Sequence, residues 1–260
     1  MDSYFDMHCH LELVADAALA AEEGAAAGIR AFSCSVTPDD YERASELLSE
    51  APNMRVGLGA HPWWIADGRV AGEQLDAFCE LAPSCAFIGE IGLDFAGKRD
   101  TAANRALQVA ALSRMLNACN QGSGGKLLSV HAVKAAGTVL DALEAADTLA
   151  RHRVIFHWFS GSSDELQRAK AAGCYFSVGP RMLASRRGRE YARQIPLDRL
   201  LLETDLPAHE GDPLSAEFWQ ADLNNALTGI AQLKQIDREA VLDTINQTSA
   251  QLLKLQTGAL

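Results

Sequence analysis

The chain has 260 residues, 48% of them apolar, and a formal net charge of −11 from 23 basic and 34 acidic side chains. This composition excludes a disordered polypeptide, and no apolar run approaches the ~18 residues of a membrane helix. The acidic balance excludes a general basic coat for nucleic acid, but not local neutralisation of phosphates by cations or one basic loop.

The start, MDSYFDMHCH, lacks a basic segment followed by an apolar run, so the sequence predicts no secretory signal. The six cysteines, Cys9, Cys34, Cys79, Cys85, Cys119 and Cys174, form no C-x-x-C pair. Scattered thiols within apolar segments predict a reducing, cytoplasmic setting.

In chain order, short apolar runs occur at Tyr4 to Cys9, Ile29 to Val36, Met54 to Ala60, Cys85 to Ile91, Leu127 to Val130, Arg153 to Phe159, Cys174 to Val178 and Arg199 to Thr204. They are apolar on both faces, as buried parallel strands are. The segments between them read as helices. Thr37-Pro38-Asp39-Asp40 supplies an N-cap, a first-position proline and acids in the first turn. Ala136, Val139, Leu140 and Leu143 follow the helical period, as do Leu223, Ala226, Leu227 and Ile230. Ser162-x-x-Glu165 is a capping-box pattern. Gly122-Ser123-Gly124-Gly125-Lys126 resembles part of a P-loop, but it precedes a strand and reads as a helix-to-strand turn. Eight strand–helix units predict an α/β fold, a (β/α)8 TIM barrel in one domain over residues 1–260, with an extra C-terminal helix over Asp237 to Leu253.

The chemistry lies at the strand ends. Asp6, His8 and His10 alternate along the first strand and so share one face. Glu90 stands near the end of the fourth strand, His131 closes the fifth, His157 lies near the end of the sixth and Asp205 closes the eighth. A barrel gathers such ends at one rim, and polar residues ending apolar strands are costly unless satisfied. Four histidines and two carboxylates predict a site for two divalent cations, with nitrogen and oxygen ligands suited to Zn, Mn or Mg.

The ordered set DMHCH, GEIGLDF, SVH, HWFSGS and LLETD resembles the TatD family of metal-dependent deoxyribonucleases, within the amidohydrolase superfamily. The resemblance runs from Asp6 to Asp205 and implies the same barrel fold. It implies that His8, His10 and Asp205 hold one metal, that His131 and His157 hold a second, and that Glu90 bridges both. It implies that Asp205 accepts a proton from the attacking water. Asp6 fits the motif and is read as orienting an imidazole. His61 matches a family position that faces substrate, and Asp94 in the same GEIGLD segment is read similarly. Ser160, opening Ser160-Gly161-Ser162 before a helix, stands where backbone N–H groups either receive a phosphate or are simply capped.

The chain departs from the family at two positions. Val133 stands where an arginine commonly follows the fifth strand, and Trp63 stands where a second histidine often follows His-Pro. The first removes a guanidinium suited to phosphate; the second adds an indole that stacks on a base or packs. Five arginines, Arg181, Arg186, Arg187, Arg189 and Arg193, follow the seventh strand and read either as a solvated helix face or as a phosphate-tracking loop. His152 precedes the sixth strand and receives no role. His209, after Asp205, is placed near a leaving group.

The expectation is a two-metal hydrolase, a phosphodiesterase acting on DNA or another phosphodiester with a metal-activated water. No membrane contact and no obligate protein partner are expected. Two alternatives share the metal site: an amidase or lactonase of the amidohydrolase type, and a catalytically silent metal-binding scaffold.

Overall fold

Eight strands, none longer than eight residues, appear in a computed structural model that describes residues 3–255. They are β1 (Tyr4–Cys9), β2 (Ile29–Cys34), β3 (Met54–Gly57), β4 (Phe87–Asp94), β5 (Leu127–Val133), β6 (Arg153–His157), β7 (Tyr175–Val178) and β8 (Leu200–Leu202). Helical segments follow each of them, and the pairs β1–β2, β4–β5, β5–β6 and β7–β8 run parallel. β1, β2 and β8 are buried at every residue, as their two-sided apolar sequence requires.

The helix signals locate real helices. Thr37 Oγ1 accepts the Asp40 N–H at the start of the helix Pro38–Leu47. Ser162 and Glu165 complete a reciprocal capping box on the helix Ser163–Ala171. Ala136, Val139, Leu140 and Leu143 are the buried residues of the helix Ala136–Ala145, and Leu223, Ala226, Leu227 and Ile230 are buried in Ala216–Lys234. The glycine-rich segment after Gln121 joins the helix Ala102–Gln121 to β5. A last helix spans Arg238–Leu253.

The contacts divide the chain into two compact units, one of Met1–Ser33, Arg43–Val56 and Tyr175–Leu260, the other of Cys34–Glu42 and Gly57–Cys174. In the first, Asp205 N donates to His8 O at 2.9 Å and His10 N donates to Leu206 O at 2.7 Å, which laces the chain leaving β8 to the end of β1. In the second, β4, β5 and β6 pair in that order, and Leu58 bridges to Ile88. Gly92 sits opposite His131 in the β4–β5 register with φ 143°, and a Cβ there would lie 2.0 Å from the His131 carbonyl oxygen. Only glycine permits that approach.

Candidate metal centre

The first unit carries His8, His10 and Asp205. The two imidazole rings meet edge to face with centroids 4.9 Å apart. Asp205 Oδ1 lies 3.3 Å from His10 Nε2 and 3.9 Å from His8 Nε2. Asp205 adopts φ 56°, in the left-handed region that aspartate visits more readily than bulkier residues, so the chain turns sharply as it leaves β8. Its other oxygen, Oδ2, is 3.1 Å from Arg181. Behind His10, the buried Glu12 carboxylate lies 3.6 Å from Nδ1 and accepts the Ser33 hydroxyl at 3.2 Å.

Asp6 differs from expectation. Its carboxylate accepts the backbone N–H of His8 and of Thr204, the Thr204 hydroxyl and the Trp219 indole N–H, and no imidazole. The β1–β2 register shifts between Asp6 and Cys9. Through these hydrogen bonds Asp6 joins β1 to the end of β8 rather than steering a ring. Burial pushes its carboxyl up to about 6 against the lowering effect of these hydrogen bonds.

The second unit carries Glu90, His131, His157 and His61. Glu90 Oε1 lies 2.7 Å from His131 Nδ1, 2.8 Å from His157 Nε2 and 3.3 Å from His61 Nε2. His131 Nδ1 and His157 Nε2 are themselves 3.2 Å apart. The β4–β5 register shifts between Ile88 and Ile91, bracketing Glu90 as the first shift brackets His8. Asp94 faces this group: its Oδ2 is 3.0 Å from His131 Nε2 and accepts the Trp63 indole N–H at 2.6 Å. Gln108 fixes the Asp94 backbone from both sides, accepting its N–H and donating to its carbonyl. Burial disfavours a charged His131, but the Asp94 and Glu90 carboxylates outweigh it and push the ring up to about 9. This pocket of the second unit is thus built to hold positive charge.

His61 caps the helix Pro62–Ala66, with Nδ1 accepting the Trp63 N–H, and its ring centroid is 4.8 Å from that of His131. Ser160 is half-buried, its hydroxyl 3.5 Å from the Ala132 carbonyl. The first turn of the helix that follows is filled by its own Glu165 carboxylate, which accepts Ser162 N–H and Gly137 N–H. His209 is exposed, and its backbone N–H donates to Asp212. His152 is buried at the start of β6, with Nδ1 accepting the Lys126 N–H.

The donor sets fit divalent cations. Two ligands ~2.1 Å from one ion, at tetrahedral or octahedral angles, stand roughly 3.0–3.4 Å apart. Asp205 to His10 at 3.3 Å and His131 to His157 at 3.2 Å match that span. Asp205 to His8, at 3.9 Å, is wider, and Glu90 to His131 and His157, at 2.7 and 2.8 Å, are at hydrogen-bond distance. One donor atom from each of His8, His10 and Asp205 lies within 4.8 Å of the others, and the same holds for His61, Glu90 and His131. Both sets are imidazole and carboxylate with no thiolate, and none of the six cysteines is in a disulfide. Sequence reasoning missed Glu12, Gln108 and Trp219; none carries a motif, and each meets its partner only through the fold.

The family model described as TatD related DNase matches residues 5–254. The chain belongs to this family. The human protein named Deoxyribonuclease TATDN3 is 27% identical over 167 residues, which cover 64% of this chain and 58% of that protein. The protein of Escherichia coli (strain K12) named 3'-5' ssDNA/RNA exonuclease TatD is 29% identical over 174 residues, covering 65% of this chain and 64% of that one. The matched stretches thus span less than two thirds of these relatives' lengths. The crystal structure of YJJV, a TatD homologue from Escherichia coli K12, superposes with a TM-score of 0.77 at 20% identity, covering 97% of this chain and 98% of that one. A TatD family hydrolase from Entamoeba histolytica gives 0.76 at 16% identity, covering 96% and 98%. These likenesses show the fold, the (β/α)8 class that the alternation of strands and helices predicts. Among the described residues, no helix is long and apolar enough to cross a membrane.

Proposed function

We propose that the protein is a metal-dependent phosphodiesterase acting on DNA. One divalent cation, of Zn, Mn or Mg, would be held by His8, His10 and Asp205, and a second by His131, His157 and Glu90. The observation that carries this reading is the clustering of imidazole and carboxylate donors in each group, with Asp205 3.3 Å from His10 and His131 3.2 Å from His157, in a member of a DNase family. The names of the deoxyribonuclease and exonuclease relatives support the choice of DNA.

Bound cations at such sites supply Lewis acidity, easing the ionisation of a water and neutralising phosphoryl charge. The chain's own residues supply the rest. Asp205 takes the proton of the attacking water, as a general base at the rim of the site. Asp94 orients His131 by bonding the nitrogen turned away from Glu90, the arrangement that fixes a ligand's tautomer. His61 borders the second group and contacts the substrate there; Ser160 lies on the loop after β6 and meets the phosphate.

The experiment is a hydrolysis panel with each metal in turn: single-stranded and duplex DNA, RNA, a simple phosphodiester, amides and lactones. Metal-dependent cleavage of DNA and the simple diester supports the reading. Cleavage confined to amides or lactones replaces it with the carbonyl alternative, and metal binding without turnover replaces it with the scaffold.

A further inference from the structure

We propose that Arg181, on the loop after β7, is the residue that receives the phosphate oxygens of the substrate beside the first metal group. The inference rests on the phosphodiesterase reading above and adds a substrate-binding residue to it.

The five arginines between residues 181 and 193 separate into distinct roles. Arg189 donates to the Leu183 and Ala184 carbonyls at 2.9 and 3.1 Å and serves its own loop. Arg193 pairs with Glu190 at 2.5 Å. Arg186 and Arg187 begin the helix Arg186–Gln194 and are exposed. Arg181 alone among them has a recorded contact to a residue of either donor group, 3.1 Å from Asp205 Oδ2.

The local sequence places it there. Gly179 ends the strand segment, and a Cβ at that position would lie 2.8 Å from the Glu203 carbonyl oxygen. The missing side chain lets the loop close onto the backbone that leads into Asp205. Pro180 then opens a four-residue helix, and the next side chain but one, Met182, is buried. Gly188 permits equally close approach to the Met182 carbonyl, at 2.0 Å from a would-be Cβ. Arg181 thus stands between two anchored points of the backbone.

Asp205 divides its oxygens: Oδ1 faces His10 and His8, and Oδ2 faces Arg181. The guanidinium therefore stands one carboxylate away from the first donor group. One nitrogen is engaged, the side chain is 40% exposed, and a guanidinium has five N–H donors. The remaining fork matches the geometry of a phosphate, which it binds more strongly than a single exposed carboxylate contact. Asp222 also lies within electrostatic reach of Arg181, so an arriving phosphate competes with carboxylates and not with a neutral surface.

The test uses the full chain loaded with Mn2+ and inorganic phosphate as the probe. In Arg181→Gln, phosphate affinity falls about 10- to 100-fold, the usual worth of hydrogen bonds between charged groups. Mn2+ affinity, measured by titrating metal-free protein, stays equal or tightens, because Asp205 loses a competing cation. Arg181→Lys keeps the charge without the fork and falls between the two. Wild-type phosphate affinity in the Gln variant overturns the inference. So does a joint loss of Mn2+ binding and thermal stability, which makes Arg181 a structural residue. If Gln prevents folding, the Lys variant carries the same comparison. Failure of the underlying reading looks different: wild-type protein that binds Mn2+ and cleaves no phosphodiester.

Discussion

Asp94 Oδ2 stands 3.0 Å from Nε2 of His131, while Nδ1 of the same ring stands 2.7 Å from Glu90. The imidazole is held between two carboxylates, one on each nitrogen. Burial raises the Asp94 carboxyl, but the bonds from His131 and Trp63 prevail and keep it below the usual carboxylate range. Asp94 is thereby a charged, fixed partner for a ligand ring.

Replacing Asp94 with Asn should lower affinity for the divalent cation roughly 10- to 100-fold, the usual cost of losing a carboxylate behind a ligand histidine. Trp63→Phe keeps the packing and removes only the indole donor, so its loss should be smaller. Titration of metal-free protein measures both. An Asp94→Asn protein with wild-type metal affinity would remove Asp94 from the site.

Asp205→Asn keeps size and one ligand oxygen but accepts no proton. Its hydrolysis rate should fall by roughly 10²–10⁴, the span for a lost general base, with metal still bound. Glu203 is the control. It is 1% exposed and accepts the Ser177 hydroxyl, so Glu203→Gln should lower the melting temperature more than the rate per folded molecule.

The exposed pair Arg186 and Arg187 should matter for polymers only. Their joint replacement by Gln should raise KM for DNA and flatten its dependence on salt, leaving a small diester unaffected. Arg189 belongs outside this experiment, because it caps the Leu183 and Ala184 carbonyls and its loss would disturb the loop. Equal losses on DNA and the small diester would contradict the proposal.

His152 predicts an acid limit to stability. Burial, with Lys126 and Arg151 nearby, lowers its ring to about 4. Below the ordinary histidine value of ~6.5 the unfolded chain takes up a proton that the folded chain refuses. The contribution is therefore present above pH ~6.5 and is lost as pH falls towards 4. Melting temperature measured between pH 7 and 4 should decline less steeply in His152→Gln than in the wild type.

Much of this was legible in the sequence. The alternation of short two-sided apolar runs with helical periods located all eight strands, and the strand-end residues His8, His10, Glu90, His131, His157 and Asp205 fall into two donor groups. What escaped has physical causes. The motif reads Asp6 as orienting an imidazole, but its carboxylate is taken by Thr204, 198 residues away in sequence, and by Trp219. Trp219 lies 213 residues from Asp6, and nothing local marks its indole as a donor to that carboxylate. Arg181 looked like one of five equivalent arginines until the close approach at Gly179 set it apart. Glu12 and Gln108 are common residue types whose roles arise from burial alone.

The most direct test of the central claim is cleavage of a labelled single-stranded oligonucleotide by metal-stripped protein during titration with Mn2+ or Zn2+. The account predicts no cleavage without metal, cleavage that rises with metal occupancy, and its loss in both His8→Ala and His131→Ala. Fully metal-loaded wild-type protein that leaves the oligonucleotide and a simple phosphodiester intact, or cleavage that persists without metal, would contradict it.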